Sequence, residues 1–444
     1  MRSRKLPEKV LVVGLGRTGV ALVRFLAMQG VRVTVTDIKS EKELESELEK
    51  LKNFNFRAHL GGHKIEDFLE NDLVIVSPGV DLKTPVIKEA KQKGAKITGE
   101  LEFSFGFIKE PIIAITGTNG KTTVTTLIGE IFTEEYKDVF VGGNIGNPLI
   151  EYVAGKKVAK FIVLEVSSFQ LETIESFRPQ CSVLLNITED HLDRYASFSD
   201  YVNAKLRIFE NQKEEDLAVL NKALDLKVRP RARTYLFSSK DLLAQGAYLE
   251  RDEIVIKING TEERYPRSIS PLFGVHNTEN IMASVLVAHL YGIKRETVEK
   301  CLSRFKGLPH RTELVREING VIFINDSKAT NVDATKRALE GIQRPVILIA
   351  GGKDKMGSYT PILSEKEKIK AIVLFGEAKK RILDEIGHAI TCLLEKDLES
   401  SVKKAYSLAK SGDVILFSPM CSSFDMFRDY VDRGNRFKEI VSAL

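Results

Sequence analysis

Apolar runs of strand length alternate with segments of helical periodicity along most of the chain. VLVVG leads into a helical pattern from Thr18 to Gly30, VRVTVTD comes next, and DLVIVSPG is followed by TPVIKEAKQKG. A second series opens with PIIAITG and continues through KFIVLEVSS and CSVLLNITED. It then passes to short strand-like runs at LAVL, TYLF and EIVIKI and to the helical stretch NTENIMASVLVAHLYG. After FKGLPHR the pattern restarts with VIFIND, PVILIAGG, AIVLFG and DVILFSP, each followed by a polar or helical segment. Buried parallel strands read as short apolar runs because helices cover both faces of their sheet, so this alternation predicts α/β architecture. Three units are expected, 1–100, 101–307 and 308–444: a Rossmann-like unit, a central P-loop ATPase-like unit with a mainly parallel sheet, and a second Rossmann-like unit. Ligands of such sheets bind at the carboxyl ends of strands and in clefts between units.

Composition changes this picture little. A chain of 444 residues exceeds what one hydrophobic core supports, in keeping with several domains. No apolar run approaches membrane-spanning length, and MRSRKLPEKV passes into strand-like sequence without the apolar core of a secretory signal. A cytoplasmic protein without a membrane partner is expected. Cys181, Cys301, Cys392 and Cys421 form no CxxC pair, which suits free thiols packed in a reducing compartment. The net charge of +5 is small, and the most basic stretch, KVRPRAR, is broken by apolar residues and lacks aromatics, so nucleic acid is not an expected partner.

Two glycine-rich turns carry the candidate chemistry. Gly14-Leu-Gly16-Arg17-Thr18-Gly19 follows a strand, opens a helix and is answered by Asp37 at the end of the next strand. Backbone N–H groups there could hold a diphosphate or a dinucleotide such as NAD, and the same turn serves plain strand-to-helix packing. The second turn, Thr116-Gly117-Thr118-Asn119-Gly120-Lys121-Thr122, ends a strand and opens a helix. Its amides can wrap a nucleoside triphosphate, Lys121 can reach the terminal phosphates and the Thr122 hydroxyl can meet Mg²⁺, although the first glycine of GxxxxGK[ST] is absent. Mg²⁺ needs hard oxygen ligands, and Glu165 at the end of FIVLE is placed to supply one; capping a turn or pairing with a lysine is the structural alternative. His191 follows the strand CSVLLN and could ligate a second metal or touch substrate, or simply be structural. Lys205 shares an apolar helical stripe with Tyr201, Ile208 and Phe209. Desolvation would make its amine neutral and able to take up CO₂, giving a carbamate anion that can bind Mg²⁺, whereas most helical lysines are merely solvated.

TGTNGKTT, GGNIG, EVSSFQLE, ITEDHLDRY, AKLRIF, GVHNTEN, LPHRTE and NDSKATN, in this order and spacing, resemble the Mur ligases almost from end to end. SSFQLE, LPHR and NDSKATN point within that family to the branch that adds D-glutamate to UDP-N-acetylmuramoyl-L-alanine, and no DNPR-type diaminopimelate motif is present. The resemblance implies a monomeric ligase of peptidoglycan precursor synthesis that spends ATP as co-substrate, passes through an acyl phosphate, and uses two Mg²⁺ ions and a carbamate on Lys205. It assigns the UDP substrate to the first unit, with Gly14, Arg17, Thr18, Asp37 and Ser77, joined by Asn144, Ser167 and His191. It assigns ATP to Gly117, Thr118, Asn119, Gly120, Lys121, Thr122, Asn144, Asn277, Asn280, Arg311 and Asp326. Metal ligation falls to Thr122, Glu165, His191 and Lys205, and catalysis to Lys121, Glu165, His191 and Lys205. D-glutamate falls to Lys328, Thr330, Lys355, Ser423 and Tyr430. Ile38-Lys39 stands where relatives often carry Thr-Arg, and Tyr430 where they carry Phe. Another Mur-type ligase or a folylpolyglutamate synthase-like enzyme is the near alternative. An NAD-dependent dehydrogenase built on the first turn, or a nucleotide-binding switch built on the second, leaves the third unit unexplained.

Overall fold

The apolar runs pair as parallel strands in three separate sheets. The structure, a computed structural model, describes every residue except 1–4, Lys156, Asp193, Asp225, Lys227, Val228 and Phe273. The first residues of MRSRKLPEKV and the first two of KVRPRAR therefore lie outside the described residues. Among the described residues the first sheet has five parallel strands, in spatial order Arg57–Leu60, Arg32–Asp37, Lys9–Val13, Leu73–Val76 and Ile97–Gly99. The strand order reverses beside Lys9–Val13, which is where the Gly14–Gly19 turn emerges.

Among the described residues the second sheet has nine strands. Ile112–Thr116 lies between Cys181–Leu184 and Phe161–Glu165; Val139–Gly143 forms one edge, and Leu217–Asn221 and Arg233–Ser238 extend the other side in parallel. The meander Gly246–Glu250, Glu253–Ile258 and Thr261–Pro266 then turns antiparallel and finishes the sheet. Helices Lys121–Tyr136 and Val275–Leu290 cover one face. The third sheet runs Glu313–Ile318, Val321–Asn325, Val414–Phe417, Val346–Gly351, Ile369–Phe375 and Cys392–Leu394, antiparallel only at its first pair.

The pattern overlooked the strands that lie at or near sheet edges, such as Arg57–Leu60 and Glu313–Ile318, because they carry exposed polar residues and no apolar run. The Lys205 stripe also differs in form. The helix Phe198–Leu206 tightens into a 3₁₀ turn over Arg207–Phe209, yet Tyr201, Lys205, Ile208 and Phe209 are all buried as the spacing predicted.

The cores divide unequally. One apolar cluster runs from the first sheet into the second through the helix Glu100–Phe105, where Phe103 and Phe107 pack edge-on against Phe25 and one another. The clusters on the two faces of the third sheet contain only residues of that unit. At about 1.5–3 kcal/mol per fully buried aliphatic or aromatic side chain, the first two units are joined far more firmly than either is joined to the third.

Candidate active site

The 117–122 turn is shaped by backbone geometry. The position of the missing first glycine, Ile115, lies inside a strand with its side chain wholly buried. The turn is made instead by Gly117 and Gly120, at φ +153° and +86°. A Cβ on Gly120 would stand 2.3 Å from Asn280 Oδ1, so only glycine fits. Asn186, just past the strand Cys181–Leu184, braces the loop: its carbonyl accepts from Thr118 N at 2.9 Å and its side chain from Asn119 N at 2.8 Å. The helix Lys121–Tyr136 begins at this point, its free N–H groups facing the place where phosphate is expected.

Cations crowd the loop. Lys121 Nζ donates to Gly117 O and Thr118 O, both at 2.9 Å, and Lys205 Nζ donates to the same Gly117 O at 2.8 Å while lying 4.6 Å from the centre of the Tyr201 ring. Burial, reinforced for Lys205 by Lys121, holds both ammonium groups below their ordinary range, strongly so for Lys205. Arg311 donates to Thr122 Oγ1 at 2.7 Å, and Lys328 Nζ sits 3.7 Å from the centre of the Tyr430 ring, where burial pulls it down to about 7. Fewer acids oppose them. Glu165 is buried; Oε1 accepts from Asn144 Nδ2 at 2.7 Å and Oε2 has no hydrogen-bond partner. Burial pushes Asp326 up to about 7, with Thr312 N and Ser418 Oγ donating to its oxygens. So many desolvated cations are costly unless anions arrive to meet them.

Three clefts meet here. A central one of about 480 Å³ is lined by Lys121, Thr122, Asn144, Glu165, Ser167, His191, Lys205, Lys328, Thr330, Lys355, Ser423 and Tyr430. A second opens beside Asn119 and Gly120 toward Asn277, Asn280, Arg311 and Asp326. A third, of about 690 Å³, lies over the first sheet among Gly14, Arg17, Thr18, Asp37, Ile38 and Ser77, and Asn144 lines both it and the central cleft. Asp37 holds its own turn, accepting from Leu15 N at 2.7 Å and Lys39 N at 2.9 Å, while Arg17 reaches Asn147 of the second unit at 2.8 Å. Candidates from the second and third units thus gather around the 117–122 loop, while Gly14, Arg17, Thr18, Asp37 and Ser77 line the separate cleft over the first sheet, with Asn144 common to that cleft and the central one.

Sequence reasoning overlooked the polar contacts that close the third unit on the second. Asp190 accepts from Lys355 Nζ at 2.9 Å and from Asn331 Nδ2 at 3.2 Å. Burial raises the affinity of this carboxyl for a proton, but Lys355 and the other donors outweigh it and hold the group down to about 2. Asn119 Nδ2 donates to Asp333 at 2.8 Å, and Arg337 to Glu279 at 3.2 Å. Asp190, a carboxylate following an apolar strand as Glu165 does, carried a signal of its own; Arg337 and Asp333 look like any polar pair on a helix. Among the described residues no group of three or more His, Cys, Asp and Glu side chains forms a ready metal cage.

Known proteins resemble the chain over nearly its full length. Residues 8–99 match the Mur ligase MurD-like N-terminal domain, 115–288 the Mur ligase middle domain and 310–421 the Mur ligase glutamate ligase domain. The chain is 49% identical over 443 residues to a UDP-N-acetylmuramoylalanine–D-glutamate ligase of Geotalea daltonii, covering 98% of each chain. It is 46% identical to the enzyme of that name from Bdellovibrio bacteriovorus, over 98% of this chain and 97% of that one. Its fold is similar to a pseudomurein peptide ligase type C from Methanothermus fervidus, with TM-score 0.63 and 19% identity over 98% of this chain and 99% of that one. It is similar also to a UDP-N-acetylmuramate–alanine ligase from Thermotoga maritima, with TM-score 0.62 and 20% identity over the same shares.

Proposed function

The chain belongs to the Mur ligase family, and from that premise we propose that it joins D-glutamate to UDP-N-acetylmuramoyl-L-alanine at the expense of ATP, as a cytoplasmic monomer in peptidoglycan precursor synthesis. The observation that carries this reading is the match, over 98% of the chain, to enzymes named for that reaction. The converging clefts support it, since each suits one substrate. The uridine diphosphate end lies over the first sheet at Gly14, Arg17, Thr18 and Ser77. ATP lies along the 117–122 loop toward Asn277 and Asn280, and D-glutamate lies against Lys328, Thr330, Lys355, Ser423 and Tyr430. The domain limits 1–100, 101–307 and 308–444 belong to the same reading.

A carboxylate resists amine attack until one oxygen becomes a good leaving group. The substrate's alanyl carboxylate attacks the γ-phosphorus, the bond to ADP breaks, and an acyl phosphate forms. Lys121 and Arg311 stand where charge collects on the transferring oxygens, and burial, which depresses the proton affinity of both, strengthens their attraction for anions that bind there. The D-glutamate amine, having lost a proton, then attacks the acyl carbon, and the tetrahedral intermediate expels phosphate to leave the amide. Closure of the third unit excludes water that would hydrolyse the acyl phosphate.

Mg²⁺ fits the residues present: Glu165 Oε2 is a buried acceptor without a donor, beside Thr122, His191 and Lys205 in the same cleft. Those four residues would hold it, and when bound it supplies positive charge to phosphate oxygens. Lys205 serves only after its neutral amine takes up CO₂ and releases a proton, which turns a crowded cation into an anion.

The test is phosphate release with ATP and UDP-N-acetylmuramoyl-L-alanine in the presence of single amino acids. D-glutamate should drive it, and L-glutamate, L-alanine and meso-diaminopimelate should give little. Preferred use of any of those three moves the enzyme to another branch of the family.

A further inference from the structure

The helix Tyr430–Ser442 buries an arginine completely. Arg433 has no exposed surface and, among the described residues, no carboxylate in ion-pair contact; Asp425 acts on it only from farther away. Its five N–H groups are nevertheless all used, and every acceptor is neutral. Nε donates to Ser327 Oγ at 3.1 Å, Nη2 to Ser327 O at 2.8 Å and to Cys421 O at 3.1 Å, and Nη1 to Cys421 O and Ser422 O at 3.1 Å. Ser327 Oγ in turn donates to Tyr430 O at 2.9 Å, so the guanidinium links three pieces of chain.

Those pieces are the turn after Val321–Asn325, the turn after Val414–Phe417 and the start of the helix itself. The first carries Lys328 and Thr330, the second Ser423, and the third Tyr430, all lining the central cleft. Gly352, just past the strand Val346–Gly351, lies close to the same guanidinium: a Cβ there would stand 3.0 Å from Arg433 Nη1. A buried cation with no carboxylate in contact, only Asp425 farther off, is costly, and fastening two turns does not require a charge. A charge behind a site that must hold a second, anionic group is repaid when that group binds, because attraction through a protein interior is weakly screened.

We propose that Arg433 is a positioning residue of the amino-acid site, fixing the 327–330 and 421–423 turns in register and favouring an amino acid with two carboxylates over one with a single carboxylate. This rests on the reading that the amino acid binds between those turns. Lysine at 433 keeps the charge and part of the bonding; methionine keeps the length and neither.

The experiment compares Arg433→Met and Arg433→Lys with the parent by steady-state kinetics for each substrate, alongside melting temperature. Arg433→Met should raise the KM for D-glutamate by about tenfold or more, with the KM values for ATP and the UDP substrate changing by less than about twofold. Arg433→Lys should recover most of that rise even where it melts as low as the methionine variant. The proposal is overturned if a folded Arg433→Met binds D-glutamate as the parent does, if all three KM values rise together, or if lysine is no better than methionine. The parent alone reports on the reading beneath it. A parent that uses a different amino acid overturns the D-glutamate assignment. The variants are then measured with that amino acid, where a KM rise confined to it and relieved by lysine upholds Arg433, and no such rise overturns it.

Discussion

Lys205 shows how one side chain's surroundings decide its chemistry. Its ammonium is fully buried, shares Gly117 O with Lys121, and is held well below its ordinary proton affinity by burial and then by Lys121. Burial thus favours the neutral amine over the ammonium, and the proposed carbamate on Lys205 requires that neutral form. In ¹³C-bicarbonate, NMR should show a carbamate resonance that Lys205→Ala and Lys205→Arg both lack. Lys205→Ala should lose about a hundredfold in ligation rate, with partial rescue by acetate, and Lys205→Arg should not respond. An unlabelled parent together with a normally active Lys205→Ala returns Lys205 to ordinary packing. The sequence announced this residue because three apolar neighbours at helical spacing betray the buried face. It did not announce Arg433, since an arginine between Asp432 and Gly434 looks solvated until the two turns it fastens are brought together by folding.

At the scale of single elements, the helix Glu100–Phe105 joins the first sheet to the second through two buried carboxyl groups. Glu102 receives N–H donors from Glu175, Ser176 and Phe177 at 2.9–3.0 Å and so caps that turn. Glu100 is less well met: Oε1 accepts from Ile150 N at 2.7 Å and Ser104 Oγ at 3.1 Å, while Oε2 is buried without a partner. Burial pushes it up to about 7, against these two bonds. The unfolded chain releases this proton near its ordinary value of 4.5, so below that pH the group is neutral in both states. Stability is then lost as pH rises from there to about 7, by on the order of 3 kcal/mol, and stays level above it. Glu100→Gln keeps the acceptor for Ile150 and removes the charge, so urea midpoints taken from pH 5 to pH 8 should fall less steeply than the parent's. Parallel curves would assign that pH dependence elsewhere. Central strands such as Ile112–Thr116 were legible because burial on both faces demands a continuous apolar run. Edge strands such as Arg57–Leu60 were not, because part of their surface is open and pairing with a neighbour, rather than their own composition, makes them strands.

Across the whole molecule, the two joints between units are made of different material. The first is a continuous apolar core around Phe25, Phe103 and Phe107. The second is polar, made by Asp190 with Lys355 and Asn331, by Asn119 with Asp333 and by Arg337 with Glu279. Water can take over such polar contacts, as it cannot for an apolar core, which suits a cleft that opens. The three-unit plan was legible because each unit restarts the strand and helix rhythm, but which joint would hold fast was not, since it depends on residues that meet only after folding. Heat distinguishes the two joints directly. An apolar core shared by two sheets makes them a single cooperative block, whereas a unit whose cores are closed on themselves melts by its own enthalpy. Scanning calorimetry of the substrate-free chain should therefore resolve two endotherms, the smaller belonging to residues beyond Gly307. ATP should shift both toward one another, because a ligand gripped from both sides of the cleft couples blocks that otherwise melt apart. One sharp endotherm without ligand would mean that the polar joint alone carries cooperativity through the chain.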